Sequence, residues 1–391
     1  MNRVEITEHG RVPYRLTDLQ GRGLAQSDVV TATPAPHHPG LWNLASRGKV
    51  GVSQVGDVEV WIKPKLRIDR LLFLVGYAAH ARSWREEDVG LDVAEGLVPA
   101  IAQALCRQTE RALRPGLLQD YRSVEETATV LRGRLREADQ LRRHHGRAIP
   151  MEIRYDDFTV DIPENQILLA AIIRMAGVPR VDTDSERRLA ALRGRLTGVT
   201  TPVRGSCLPS WQPNRLNQRY HTALRLAEII WQATSPEHTP GSLWSNGFLF
   251  NLWKIFEDFV VSALSEELQA RYDGVAAPHH LCHLDHAGTV QMEPDLVWQL
   301  HGRPIAVVDA KYKQEKPLAD LYQVLAYCTA LRLPRGHLVY AQGNADPIRH
   351  VIKHADIEIV CHALDLTLPP AKLLAQVGDI ADELVANSPA A

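Results

Sequence analysis

The stretch Ile305-Ala306-Val307-Val308-Asp309-Ala310-Lys311-Tyr312-Lys313 decides the fold of the C-terminal part of this chain. Its first four residues are apolar and mostly β-branched, which predicts a buried strand. Side chains alternate across a strand, so Asp309 and Lys311 leave the same face together. An acid and an amine at the end of a core strand are costly unless they are paired or used. The pair therefore marks a candidate site.

A second carboxylate precedes this strand. The segment Glu293-Pro294-Asp295-Leu296-Val297-Trp298 predicts another apolar strand that begins beside an acid. A hairpin through Gly302-Arg303-Pro304 would bring Asp295 beside Asp309. Two carboxylates and a lysine at one point predict a magnesium site for phosphodiester cleavage, because Mg²⁺ prefers hard oxygen ligands.

The chemistry expected of this site follows from its residue types. Asp295, Asp309 and the Ala310 carbonyl would hold the ion, which activates a water and neutralises phosphate charge. Lys311 would orient or deprotonate that water and stabilise the transition state. The alternative is a surface strand end closed by a salt bridge, since an isolated Asp-x-Lys is common by chance.

Two helices are expected to complete the site. A helix over residues 248–268 would aim the carboxylate of Glu257 at Asp309 from beside its buried stripe. In the helix over residues 318–331, Gln323 and Tyr327 lie one turn apart on one face. Both can hydrogen-bond a phosphate or the water shell of a metal ion. The alternative for this pair is a capping or packing role.

Bulk composition limits the function classes. The chain has 391 residues with a net charge of −2, so two or three domains are expected and no overall basic field indicates nucleic acid. Five scattered cysteines without a CxxC motif predict reduced thiols in a cytoplasmic protein. No signal-peptide pattern is present, and the apolar segment 71–81 has about half the roughly 20 residues of a membrane span. The absence of GxxxxGK[ST], GxSxG and HExxH excludes the enzyme classes that depend on those motifs.

The N-terminal part is expected to be rich in strands and loops over residues 1–70. A hairpin is predicted around Gly56-Asp57, ending at Lys63-Pro64-Lys65, whose lysines would contact phosphate, contact an acidic partner or be solvated. Buried helices are predicted at residues 71–81 and 91–113.

The densest basic cluster lies in residues 121–170, where a long β-hairpin with a basic tip is predicted. Such a tip would grip DNA backbone or a partner, and a solvated face is the alternative, because acidic neighbours dilute the charge. The cluster comprises Arg132, Arg134, Arg136, Arg142, Arg143 and Arg147, with His144 and His145.

Three domains are predicted. Residues 1–120 form a β-rich and helical region, residues 121–235 a hairpin and helical docking region, and residues 241–391 an α/β (α+β) domain with a central mixed sheet flanked by helices. Further helices are expected at residues 166–175, 185–195 and 217–233. A linker rich in Ser and Pro at residues 234–241 marks the main boundary. A zinc site at His279, His280, His283 and His286 is a weaker alternative, because the spacing fits no structural zinc pattern well.

These motifs resemble a known family. Met292-Glu293-Pro294-Asp295, together with residues 308–313, resembles the PD-(D/E)xK nuclease motif, and Asp320-Leu321-Tyr322-Gln323-Val324-Leu325-Ala326-Tyr327 is similar to the Gln-xxx-Tyr helix that follows it in several branches. With the segments 56–65, 131–135 and 255–260, the chain resembles the McrC family from about residue 50 to residue 345. McrC proteins are the nuclease subunits of McrBC modification-dependent (5-methylcytosine) restriction systems.

The resemblance implies a restriction-endonuclease-like C-terminal domain and a magnesium-dependent DNA endonuclease. Asp295 and Asp309 would bind Mg²⁺, with Glu257 as an extra acidic ligand. Lys311 would be the catalytic lysine, supported by Gln323 and Tyr327.

The implied partners are double-stranded DNA and a McrB-like AAA+ GTPase. The partner would recognise methylated DNA, while this chain would dock on it through its N-terminal half, stimulate its GTPase and cut. Two alternatives remain open at this point: a stand-alone PD-(D/E)xK nuclease, and a non-cleaving activator of an AAA+ motor.

Overall fold

The computed structural model describes residues 2–79, 96–145, 147–202, 207–233, 245–313, 318–341 and 346–386. Several sheets, two of them with mixed strand direction, are combined with helices. This agrees with the predicted α/β (α+β) class. Within the described residues, no helix has both the length and the continuous apolar character that crossing a bilayer requires.

The strands are β1 Asn2–Thr7, β2 Arg11–Arg15, β3 Val30–Pro34, β4 Leu41–Ser46, β5 Lys49–Val55, β6 Val58–Lys63, β7 Asp120–Ala128, β8 Arg134–Leu135, β9 Met151–Thr159, β10 Ser245–Asn251, β11 Val275–Pro278, β12 Cys282–His283, β13 Gln291–Met292, β14 Leu296–Leu300, β15 Arg303–Lys311, β16 Arg335–Tyr340, β17 Ile348–Ile352 and β18 Ile357–Ala363. The helices are α1 Asp18–Gln26, α2 Ile68–Ala79, α3 Leu97–Leu113, α4 Glu137–His144, α5 Pro163–Ala176, α6 Thr183–Arg195, α7 His221–Ala233, α8 Leu252–Arg271, α9 Leu318–Leu331 and α10 Pro370–Val385.

The chain forms two compact units that interleave along the sequence. Unit 1 comprises Met1–Ala100, Val178–Arg180 and Gln232–Ala391, and unit 2 comprises Ile101–Gly177 and Val181–Trp231. The linker predicted at residues 234–241 lies outside the described residues. The three-domain division drawn from it stays a prediction.

The larger sheet of unit 1 is built around β15. Its strand order is β11-β14-β15-β16-β18-β17. The hairpin predicted from the two apolar runs is confirmed, because β14 and β15 pair antiparallel with Leu296 opposite Val308. Strands β15, β16 and β18 run parallel, and α9 connects β15 to β16. The helix predicted at residues 318–331 is therefore confirmed, and it packs with Val324 and Cys328 on the core of this sheet.

A second sheet of unit 1 joins the start of the chain to its middle. Its order is β1-β6-β5-β10, with β1 parallel to β6 and the predicted β5–β6 hairpin at its centre. The helix predicted from residue 248 is wrong at its start, because β10 occupies Ser245–Asn251 and α8 begins only at Leu252. The reason is tertiary: Phe248 and Leu249 pair with Val52 and Gly51, which lie far away in sequence.

Unit 2 contains the basic segment, and part of its predicted shape is wrong. Of the predicted hairpin strand at residues 131–135, only Arg134–Leu135 forms a strand, and it pairs with β9. The long antiparallel partner of β9 is β7, which was not predicted. The presumed hairpin tip holds the helix α4, which carries Arg142, Arg143 and His144 in its last turn. Cations near a helix C-terminus interact favourably with its dipole, which suits this placement.

The remaining predicted helices agree with the structure to within a few residues, as far as the chain is described. Residues 80–81 and 91–95 of two predicted helices lie outside the described residues. Helices α1 and α10 and the strands β11, β12, β13 and β17 were not predicted.

Gly336 of β16 allows α9 to approach the sheet closely. A Cβ added there would lie 2.4 Å from Val324 Cγ1 and 2.6 Å from Cys328 Sγ. We expect Gly336→Ala to lower the free energy of unfolding by about 2 kcal/mol through overpacking, measured by urea denaturation. Gly194→Ala is the control, because a Cβ at this helical position meets nothing within 4 Å. It should leave stability unchanged or raise it by about 0.5–1 kcal/mol. Equal stability of Gly336→Ala and the wild type would contradict this packing.

Candidate active site

The two acidic residues predicted from the hairpin lie where the register places them. Asp295 directly precedes β14 and Asp309 is near the end of β15, so both lie at one end of the antiparallel pair. The Ala310 N–H donates to Asp295 Oδ2 over 2.7 Å. Asp295 is 8% exposed and Asp309 only 1%. The hairpin therefore brings two carboxylates together in a nearly dry environment.

Burial and mutual repulsion change how these acids ionise. Burial raises the pKa of Asp295 to about 7, and the negative charges of Asp309 and Glu257 add to this rise against the Ala310 hydrogen bond. Burial also raises the pKa of Asp309, although the neighbouring Lys311 opposes the rise. Raised carboxyl pKa values of this kind are frequent at functional sites.

Lys311 supplies the opposing charge. Its ammonium forms an ion pair with Asp309 Oδ2. Burial disfavours the charged amine, but attraction to Asp309, with Asp295 and Asp320 behind it, outweighs burial and raises the pKa of Lys311. At neutral pH this side chain is a cation that donates protons in hydrogen bonds.

Glu257 lies on α8, the helix that packs against β15. Its negative charge contributes to the raised pKa values of both aspartates. Its Oε1 also lies 3.0 Å from Lys254 Nζ. The sequence-based expectation that α8 turns an acid toward Asp309 therefore matches the electrostatics.

Gln323 and Tyr327 form a pair on α9. Gln323 Nε2 donates to the Tyr327 hydroxyl over 2.6 Å, and that hydroxyl donates to the Glu293 carbonyl over 3.4 Å. Burial, followed by the charge of Asp309, raises the pKa of Tyr327 above its ordinary value, so the hydroxyl stays protonated. Tyr327 is buried and faces the aspartates, while Gln323 is exposed at the edge of the site.

Asp320 is a site residue that the sequence reasoning did not assign. It is buried in the first turn of α9, where Lys313 Nζ lies 3.1 Å from its Oδ1 and the Tyr340 hydroxyl donates to its Oδ2 over 3.4 Å. Its charge also contributes to the raised pKa of Asp309. Its place three residues before Gln323, on the helix already tied to the site, is the signal that would have found it.

Another group of possible metal ligands lies beside Glu257. In the part of the chain that the structure describes, the ligand atoms of Glu257, Asp258 and His279 lie within 4.8 Å of one another. Lys254 Nζ already bridges the two acids, at 3.0 Å from each. Of the four histidines of the alternative zinc site, only His279 belongs to such a group among the described residues.

The donor set of the main site suits a hard divalent cation. The fold holds the buried carboxylates of Asp295 and Asp309 close together, although they repel each other. The pKa of Asp295 is near 7, so this carboxyl tends to keep a proton at neutral pH. A cation between them would remove that repulsion, and oxygen ligands of this type match Mg²⁺.

Comparison with known protein families identifies the family of this chain. The family described as McrBC 5-methylcytosine restriction system component matches residues 44–341, well over half of the chain. The chain belongs to this family. No curated protein sequence matches the chain.

One solved structure shares the fold of this chain. A chain of the refined half-complex from the tetradecameric assembly of Thermococcus gammatolerans McrB AAA+ hexamers with bound McrC is 17% identical, with a TM-score of 0.61, and the match covers 98% of this chain and 100% of that chain. The cryo-EM structure of the Thermococcus gammatolerans McrBC complex matches at 17% identity and a TM-score of 0.41 over 68% of this chain and 88% of that chain.

The raised pKa of Asp295 predicts that replacing this carboxylate with a neutral side chain stabilises the fold, by an amount that depends on pH. A carboxyl whose folded pKa is raised destabilises the fold as pH increases through the interval from its unfolded value to about 7. In EDTA at pH 8, the free energy of unfolding of Asp295→Asn should therefore exceed that of the wild type by on the order of 2 kcal/mol. The variant should unfold at a higher temperature. The difference should shrink as the pH falls and largely vanish near pH 3.5, where Asp295 is mostly protonated in both the folded and the unfolded state.

Thermal unfolding at the two pH values measures this effect. Asp379→Asn is the matched control, since Asp379 is exposed on α10, and it should show no such pH-dependent gain. A wild type more stable than Asp295→Asn at pH 8 in EDTA would contradict the assignment.

Proposed function

We propose that this chain is a magnesium-dependent DNA endonuclease whose centre is Asp295, Asp309 and Lys311, on a PD-(D/E)xK-type domain formed by the β15 sheet with α8 and α9. The observation that carries the proposal is the convergence of two buried carboxylates on one hairpin end, with the Lys311 ammonium paired to Asp309. Family membership supports a restriction function.

Asp295 and Asp309 would hold the ion, with the Ala310 carbonyl and Glu257 as further oxygen donors. When bound, Mg²⁺ lowers the pKa of the attacking water and neutralises charge on the scissile phosphate. Lys311, whose raised pKa keeps it protonated, donates hydrogen bonds to the phosphate oxygens that gain negative charge in the transition state. A lysine in this state acts as a charge stabiliser and not as the base that deprotonates water.

The residues of α9 keep this centre ordered. Gln323 fixes the Tyr327 hydroxyl, which in turn donates to the backbone carbonyl of Glu293, two residues before Asp295. This chain of hydrogen bonds holds the segment that delivers Asp295. We therefore assign Gln323 and Tyr327 a supporting role at the site.

We further propose that the chain acts together with a McrB-like AAA+ GTPase, which recognises methylated double-stranded DNA and whose GTPase activity it stimulates. The solved structure with a similar fold contains McrB AAA+ hexamers with bound McrC. The segment of residues 120–159 in unit 2 fits a docking surface, because it exposes apolar side chains that a monomer would normally bury. They are Tyr121, Val130, Leu131, Leu135, Leu141, Ile149 and Phe158.

Cleavage tests the active-site assignment directly. We expect the wild type, with its partner and GTP, to cut methylated plasmid only when Mg²⁺ is present. Asp309→Asn should reduce cutting by at least about 10³-fold, since it removes a metal ligand and the partner of Lys311. The variant should still stimulate the GTPase, because the site and the docking segment lie in different units. Asp379→Asn is the control and should cut normally, whereas undiminished cutting by Asp309→Asn would refute the site.

Docking is tested separately by a matched pair of surface substitutions. Val130 in unit 2 is 73% exposed and Val351 on β17 is 78% exposed. Val130→Asp should weaken stimulation of the partner GTPase by about tenfold or more, because a charge at an apolar interface must be desolvated. Val351→Asp should leave stimulation unchanged. Equal effects of the two substitutions in a GTPase titration would argue against docking through residues 120–159.

A further inference from the structure

Tyr312 follows Lys311 directly and lies between two separate parts of unit 1. Its ring stacks on His9 with a centroid separation of 6.1 Å. On another side it meets the Phe256 ring of α8 at 5.8 Å. Tyr312 is thus enclosed by the segment after β1 and by the helix that carries Glu257.

Glu8 is the polar end of this enclosure. It is only 1% exposed, although it is a carboxylate. Its Oε2 accepts the Lys65 N–H over 3.0 Å, its Oε1 lies 3.2 Å from His9 Nε2, and its own N–H donates to the Lys63 carbonyl over 2.8 Å. A buried acid is tolerated only when its oxygens have such partners.

The Tyr312 hydroxyl lies close to the Glu8 carboxylate, toward which it acts as a hydrogen-bond donor. Burial, and next this hydrogen bond, raises the pKa of Tyr312 above its ordinary value, so the hydroxyl remains a donor. The Lys63-Pro64-Lys65 turn therefore has a use that its sequence did not suggest. The Lys63 ammonium pairs with Glu5 at 2.8 Å, and the backbone of the turn holds Glu8.

The position of Lys311 makes this contact consequential. Lys311 is the last residue of β15, and its carbonyl accepts the N–H groups of Lys313 over 2.9 Å and Ala341 over 3.4 Å. Regular ladder pairing no longer fixes the backbone beyond it. The next fixed point along the chain is the Tyr312 side chain.

We infer that Glu8 and Tyr312 are positioning residues that fix Lys311 against Asp309, so the small N-terminal sheet is a structural part of the cutting centre. This inference rests on the proposed function in assigning Lys311 to catalysis. The hydrogen bond between Glu8 and Tyr312 holds the backbone at Lys311, and Phe256 closes the other side of the ring. Small misplacements of a reacting group cost large factors in rate.

A matched control separates positioning from mere stabilisation. Tyr77 of α2 is buried and donates its hydroxyl over 2.7 Å to Oε2 of the half-buried Glu266, which gives another tyrosine–glutamate hydrogen bond in unit 1. Tyr312→Phe and Tyr77→Phe should lower the melting temperature by similar amounts. Only Tyr312→Phe should change the behaviour of Lys311.

Two readouts test this expectation in the full chain. In single-turnover cleavage with the partner, GTP and Mg²⁺, Tyr312→Phe should lower the rate about tenfold or more, while Tyr77→Phe should stay within about twofold of the wild type. In the free protein, an amine-acylating reagent should modify Lys311 faster, relative to the exposed Lys372 of α10, in Tyr312→Phe than in the wild type or Tyr77→Phe. Mass spectrometry reads both lysines in one sample.

Substitutions at Glu8 complete the test. Glu8→Ala should reproduce the Tyr312→Phe defect, Glu8→Gln should restore most of the rate by keeping an acceptor oxygen, and Glu8→Ala with Tyr312→Phe should be no worse than either alone. Additive losses, or a cleavage rate for Tyr312→Phe equal to that of Tyr77→Phe, would overturn the inference. If the wild type does not cut, the proposed function fails, and unchanged Lys311 acylation in Tyr312→Phe would then overturn the positioning role separately.

Discussion

The repulsion between two buried carboxylates, Asp295 and Asp309, is the constraint on which the rest of unit 1 depends. Left alone, like charges in a dry environment would separate or take up a proton. The antiparallel register of β14 and β15 keeps them together, and the Ala310 N–H and the Lys311 ammonium offset part of the cost. A divalent cation at this position would relieve the remaining cost, so the geometry that weakens the metal-free fold would favour the metal binding that we propose.

A second buried carboxylate in this chain shows the opposite solution. Glu152 of β9 accepts hydrogen bonds from Thr127 and Arg143 and meets His144 at 2.9 Å. These contacts, led by the His144 and Thr127 hydrogen bonds, lower the pKa of Glu152 and keep it ionised. Glu152 therefore joins α4 to the β7–β9 pair as a structural anion, whereas Asp295 keeps its affinity for a proton or a cation. Two differences distinguish these residues: Glu152 has several hydrogen-bond donors, and desolvation affects its pKa less than it affects the pKa of Asp295.

The sequence predicted the parts of the site that depend on local pattern. The β-branched run at residues 305–308 and the turn at Gly302 contain enough information for the hairpin, and hence for the meeting of Asp295 with Asp309. The helical spacing of residues 318–331 likewise predicted α9 with its Gln323–Tyr327 pair. Both inferences use interactions within a few residues or across one turn, where periodicity is informative.

What the sequence could not predict depends on distant pairing. Residues 248–251 continue the apolar pattern of α8. They form a strand because they pair with the edge of β5, about 200 residues away in the sequence. The sequence pattern around Arg142 is equally compatible with a hairpin tip and with a helix. The helix is stabilised by the contacts of Arg143 and His144 with Glu152. Glu8 has no local feature that marks it, because its significance comes only from Lys65 and Tyr312.

The interleaving of the two units along the chain has a consequence for the order in which the protein matures on the ribosome. Unit 2 is drawn from residues 101–231 and can collect its contacts while synthesis continues. Unit 1 cannot close until β10 reaches β5 and Tyr312 reaches Glu8, contacts that span roughly 200 and 300 residues and carry a high loop-closure cost. The candidate site is thus among the last features to form, and a nascent chain would lack the proposed nuclease centre until synthesis has passed its final strands.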